Sequence, residues 1–338
     1  TISGVKIFVC GEADSTGYLF ALDMQGKQLW KTGLGREWMV NFTGPRTTPT
    51  VVDSLLYVCN SLGILSCIEV KEGKKLWSVD MQKDLHGINV RFGYSESLLV
   101  EGDQVWCTPG GKDTNIVALN RFTGKIQLIS KGDGDTTAYC SPRIIHHNGK
   151  KILMTLSIHH LVGIDATTGQ LLWSQLIDKG GDIHCNTPWY ENGFIYYVTG
   201  GNGTVKLELS PDGKTLTELW RVATANDVHG GFVKLGDFLY TSQYKPKRYV
   251  SIDTRNGMVA DSLKSEKGVT ISAEGMLYCY TEKGTMMLVR PDNGKMTLVS
   301  SFKLPVGTKE FFSNPVIDQG ILYIRHQDDL VAYRVREL

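Results

Sequence analysis

No stretch of this chain stays apolar for the roughly 18 to 20 residues that a membrane-spanning helix needs, which excludes that class of protein. Charge of one sign is also missing: 36 basic against 35 acidic side chains leave a net +1, so no overall field draws the chain to nucleic acid or to an anionic membrane. Its seven cysteines include neither a C-x-x-C nor an adjacent pair, and their number is odd, so neither a zinc site nor a disulfide framework is encoded. Most lie inside apolar runs, where a small buried thiol is the plain reading. The Gly-Gly-Lys of TPGGKD (108–113) lacks the G-x-x-x-x-G-K-[ST] spacing of a phosphate loop. An initiating Met is absent as well, and a segment preceding Thr1 is expected.

What the chain does have is repetition. Seven times an extended apolar run closes on a glycine turn and resumes, as in GYLFALDMQGKQLW from Gly17, GILSCIEVKEGKKLW from Gly63 and HLVGIDATTGQLLW from His160; an eighth copy, DLVAYRVREL, starts at Asp329. The turn glycines Gly26, Gly73, Gly124, Gly169, Gly213, Gly257 and Gly294 are 47, 51, 45, 44, 44 and 37 residues apart. A period of about 40 to 50 residues made only of strands and turns predicts a β-propeller, here all-β with eight four-stranded antiparallel blades in one domain, 1–338. Six full repeats and two of three strands give 30 strands, so a preceding segment is expected to supply the outermost strand of blade eight and the innermost of blade one. Trp30, Trp77, Trp173 and Trp220 follow the turns at nearly fixed spacing and are expected to be buried between blades.

The segment Gly163-Ile164-Asp165-Ala166-Thr167-Thr168-Gly169-Gln170-Leu171-Leu172-Trp173 resembles the A-x-D-x-x-T-G-x-x-x-W docking repeat of the quinoprotein alcohol dehydrogenase-like propellers. The resemblance covers nearly the whole chain, and PQQ-binding-like β-propeller repeat proteins are similar in length. It implies export to the periplasm or secretion, although seven unpaired cysteines argue against an oxidising compartment. The superfamily holds two classes: dehydrogenases with pyrroloquinoline quinone and calcium, and non-enzymatic propellers such as the lipoprotein of the outer-membrane β-barrel assembly machinery. The dehydrogenases' adjacent-cysteine disulfide, calcium ligands and catalytic base find no match here, so a binding or scaffold propeller without cofactor is expected, with the quinone and calcium as the alternative.

In such a fold the segments joining one blade to the next gather at one mouth of a central channel. Those of this chain are rich in Arg, His, Tyr and Asn, and they nominate Arg46, Arg91, Tyr94, Tyr139, His184, Asn186, His229, Lys309 and Asn314, with Lys112 from TPGGKD, as the lining of a ligand site. Arg46, Arg91 and Lys309 would make it locally positive and suited to a small anionic or hydroxylated ligand. In the competing reading these groups serve loop backbone, and the arginines pair with Glu96, Asp182 and Asp227. His146 and His147 read as solvated loop residues. His159 and His160, if extended, point to opposite faces and do not share a metal. His184 and His229 occupy equivalent loop positions, but no carboxylate set accompanies them, and no metal site is expected. A protein or small-molecule partner is expected without an identity.

Overall fold

The computed structural model describes residues 1–177, 183–307 and 309–335, and all regular structure among them is β. Eight antiparallel sheets follow one another at 2–36, 50–80, 99–130, 143–176, 189–222, 232–264, 268–303 and 316–334, each with its strands in chain order. Seven have four strands and the eighth has three. The fold is an eight-bladed β-propeller. One expectation is corrected: the first strand of blade one lies within the chain as Ile2–Ser3, folded back onto Lys6 and Ile7 through Gly4 at φ 58°.

The chain divides into two compact units, 1–177 with 211–215, and 178–210 with 216–338. In both, middle strands are mostly buried, Leu55–Cys59 along its whole length and Phe194–Thr199 at all but its first residue, while fourth strands such as Lys75–Asp80 stay partly exposed. A strand covered on both faces must be apolar at every position, which is why these runs read as continuous rather than alternating.

The turn grammar has a local cause. Asp165 Oδ1 accepts from the amides of Thr167 (2.8 Å) and Thr168 (3.0 Å), and Asn120 Oδ1 does the same for Phe122 and Thr123. The turn then passes through a glycine, Gly169 at φ 78° and Gly124 at φ 71°, where other residues are strained. Just beyond it the ladder slips by one residue, between Cys67 and Ile68 in sheet two and between Gly163 and Ile164 in sheet four. This bulge re-aims the tryptophan that follows.

Three tryptophans dock on the next blade's turn. A Cβ on Gly73 would lie 2.6 Å from the Trp30 ring, one on Gly124 2.9 Å from Trp77, and one on Gly257 2.9 Å from Trp220. Their indole N–H groups donate to the carbonyls of Val70 (3.3 Å), Arg121 (3.0 Å) and Thr254 (3.0 Å). These three are half-buried, not largely buried as expected, because fourth strands face solvent at their outer edge. In sheet six the same position holds Asp261, whose carboxylate instead accepts from Met296 N (2.7 Å) in the following turn.

Candidate functional site

Segments that lead into a new sheet carry carboxylates turned inward. Glu37 Oε1 accepts from Trp38 N (2.8 Å) and Ser61 N (3.0 Å); Glu96 accepts from Thr108 N (2.9 Å) and from Thr108 Oγ1 (2.8 Å). Asp227 accepts from His229 N (2.7 Å), Gly230 N (2.6 Å) and the Ser242 hydroxyl. Buried loop amides that no neighbouring strand can reach are satisfied in this way. Burial pushes Glu96 up to about 7 and Asp227 up to about 6, in each case against the hydrogen bonds just named.

The arginines do not take these acids as partners. Arg46 is half-buried and donates to backbone carbonyls, from Nη1 to Gly44 (2.8 Å) and from Nη2 to Asn41 (2.8 Å) and Phe42 (2.6 Å). Burial lowers its pKa, opposed by the nearby Glu37 charge. Arg46 thus fixes the shape of loop 38–44. Arg91 is exposed, with its guanidinium 5.1 Å over the Phe92 ring. Among the described residues neither forms an ion pair with Glu96 or Asp227, and Asp182 lies outside the described residues.

Of the remaining nominees in the first unit, Tyr94 is corrected from lining to core: it is 1% exposed, packs over Gly63, and gives its hydroxyl to Pro109 O (2.9 Å). Tyr139 is buried with its ring 6.0 Å from Phe92, and Lys112 is exposed. Phe92 also meets Phe42 (6.3 Å), and Arg46 lies 5.9 Å over Trp38. The Phe92 ring therefore gathers Arg91, Phe42 and Tyr139, and Arg46 joins them through the Phe42 carbonyl. On the two loops that carry Arg46 and Arg91, Val40 (78%), Phe42 (64%), Ile88 (51%) and Met39 (41%) project into solvent. Sequence reasoning passed over these four. The available signal for three of them was WMVNF (38–42), an apolar run without strand alternation between two blades.

In the second unit Asn186 and His229 come together at Asp227: Asn186 Nδ2 donates to its carbonyl (3.1 Å), and His229 follows it onto the Phe312 ring (5.2 Å). The His229 ring is exposed, and partial desolvation together with the Lys267 charge lowers its pKa, which keeps it neutral near pH 7. His184 is buried; Lys309 and Asn314 are exposed. Lys309 lines an open cleft of about 700 Å³ with Glu282, Lys303 and Glu310.

Two histidine readings also change. His147 is buried on strand Arg143–His147 rather than solvated. His159 sits in a bend, and only His160 opens a strand, so alternation does not govern the pair: both Nδ1 atoms face Asp135 Oδ2, at 3.0 and 3.4 Å. Asp133 and Asp135 stand with His160 in a group that spacing along the sequence does not reveal.

Three relatives place the chain. Outer membrane protein assembly factor BamB of Shewanella oneidensis is 26% identical over 252 residues, 69% of this chain and 56% of that protein's length. Quinohemoprotein alcohol dehydrogenase of Comamonas testosteroni is 28% identical over 155 residues, 41% of this chain and 21% of the enzyme. The crystal structure of BamB from Moraxella catarrhalis shares the fold at a TM-score of 0.68 and 12% identity, covering 98% of each chain. A family model described as outer membrane protein assembly factor BamB matches residues 15–263, and the chain belongs to that family.

Proposed function

We propose that this chain is a non-catalytic scaffold propeller, exported to the periplasm, that holds a protein partner on the loop face around Phe42 and Phe92. The observation that carries this is the exposure of Val40, Phe42, Ile88 and Met39 beside Arg91, on loops stiffened by the Arg46 clamp. Apolar side chains clustered in solvent at an ordered loop are the usual mark of a protein contact, and a flanking arginine suits a partner segment carrying both apolar and acidic side chains. The relatives' name, outer membrane protein assembly factor, supports a partner from that machinery. Export meets no obstacle from the thiols: none of the seven cysteines is in a disulfide, six are buried, and buried thiols resist oxidation.

A small anionic or hydroxylated ligand is the second reading, and its support is the exposed pair Arg91 and Lys112. Arg46 and Tyr94, on which it also drew, are engaged by carbonyls. The quinone alternative fits poorly on the same ground, because these groups already serve loop backbone and the cysteines are separate single thiols.

The test is photo-crosslinking in the native cell from a benzophenone amino acid at position 40, with position 71, an exposed turn residue, as control. A defined protein adduct is expected at 40 alone. That protein, purified, should then bind Val40→Asp/Phe42→Asp at least tenfold more weakly than the parent chain. Adducts that do not distinguish 40 from 71, or unchanged binding by the double variant, would overturn the proposal.

A further inference from the structure

We infer that blade four carries a binding site for one divalent transition-metal ion of the zinc class, built from Asp133, Asp135 and His160, with His159 holding Asp135 in position. His160 Nδ1 lies 3.0 Å from Asp133 Oδ2 and 3.4 Å from Asp135 Oδ2, and His159 Nδ1 lies 3.0 Å from the same Asp135 oxygen. Ligands at the usual 2.0 to 2.1 Å from a tetrahedral zinc are about 3.3 to 3.4 Å apart, so the two His160 distances nearly match two edges of such a shell. One imidazole with two carboxylates is a donor set that suits zinc, cobalt or copper better than calcium or magnesium, with the remaining position open to solvent.

Hydrogen bonding alone accounts for the arrangement badly. Asp135 is held by Ser157 Oγ (3.0 Å) and His159 N (2.8 Å) at Oδ2 and by His159 Nδ1, which stands 3.2 Å from Oδ1 and 3.0 Å from Oδ2. His160 Nδ1 in turn faces two carboxylates while carrying one hydrogen at most. A cation between the two carboxylates resolves that excess: His160 Nδ1 presents its lone pair, and its ring proton moves to Nε2. The supports a metal site needs are present too. Ser174 Oγ donates to Asp133 Oδ2 (3.0 Å), Asp135 N to Asp133 Oδ1 (3.2 Å), and Thr136 N to Asp135 Oδ1 (2.8 Å), fixing the carboxylates in place. Asp133 is 8% exposed at its side chain and His159 54%, so the site is anchored inside and open on one side to solvent. A bound ion would tie the segment entering blade four to the turn between its second and third strands.

The experiment is titration of the chelator-treated full chain with zinc chloride by calorimetry, with cobalt chloride followed by visible absorption. One equivalent should bind, raise the melting temperature, and give cobalt the intense visible bands of tetrahedral coordination. His160→Gln should weaken zinc binding at least tenfold and abolish those bands, and His159→Gln, at an exposed ring, should weaken it less. Cys185→Ser, at the cysteine that is not fully buried, should leave binding unchanged. Metal-free melting of each variant beside the parent separates lost ligation from lost folding. Absence of one-equivalent binding in the parent chain, or undiminished binding by a folded His160→Gln, would overturn the site.

Discussion

Blades two and four answer the same sequence pattern in opposite ways. In both, a glycine turn is followed four residues later by a tryptophan, Trp77 and Trp173. Trp77 projects onto the turn of blade three, over Gly124, and bonds Arg121 O. Trp173 instead folds back across its own sheet and lies over Gly163, and its Nε1 has no acceptor among the described residues. The cause is one residue on the adjacent strand. The register opposes Trp77 to Cys67 but Trp173 to Gly163, and without a Cβ there the ring drops into the sheet. Gly213, the glycine of the turn at 211–215, is met by Ile152 and Lys150 rather than by an indole. A repeat motif thus sets where a tryptophan starts, and its cross-strand partner sets where it ends.

The segments entering sheets three and four differ as well. Glu96, before sheet three, is enclosed, and burial raises its pKa. Asp135, before sheet four, is also penalised by burial, but the hydrogen bonds from His159, Ser157 and Thr136 outweigh that and lower its pKa. The two acids therefore act on stability with opposite pH dependence.

The largest effect that would sharpen this contrast is at the two indoles. Trp173→Ala should cost about 3 to 5 kcal/mol in urea unfolding, as fully buried aromatics do, and Trp77→Ala clearly less because its ring is half-exposed. Equal losses would break the comparison. Next is the partner. Gly163→Ala should cost about 2 to 3 kcal/mol by driving a methyl group into the indole. Combining it with Trp173→Leu, which recreates the Ala118 and Leu128 pair of sheet three, should recover part of that loss. Strict additivity of the two changes would show that the rings do not compete for this space.

The smallest effect concerns the loop acids. An acid whose pKa is raised on folding contributes stability while protonated and loses it as pH climbs from its usual 4.5 to about 7 in the folded protein. Glu96→Gln should therefore flatten the stability profile across that window, by about 1 to 2 kcal/mol between pH 5 and 8. Asp135→Asn should remove only a loss on the acid side, since a lowered pKa contributes stability above the unfolded value. Melting temperatures across this range would decide it; identical profiles for parent and Glu96→Gln would refute the assignment.

The number of blades, their antiparallel order and the turn chemistry were legible because they rest on near neighbours: an Asp or Asn oxygen reaching amides two and three residues on, a glycine at positive φ, and apolar runs of strand length. Which side chains share a site was not legible, because that depends on groups far apart in the chain. Arg46 was visible as a cation in a loop, but its capture by three carbonyls of that same loop is a matter of backbone path. Tyr94 was visible as a loop aromatic, but the absence of a side chain at Gly63, 31 residues earlier, opens the space that buries it. His159 and His160 looked divergent only under strand alternation, and one bend brings both to Asp135, 24 and 25 residues away. Local covalent geometry and hydrogen bonding, written residue by residue, determined the architecture; desolvation and long-range contact, which exist only once the blades pack, decided which polar groups are occupied and which apolar ones remain exposed.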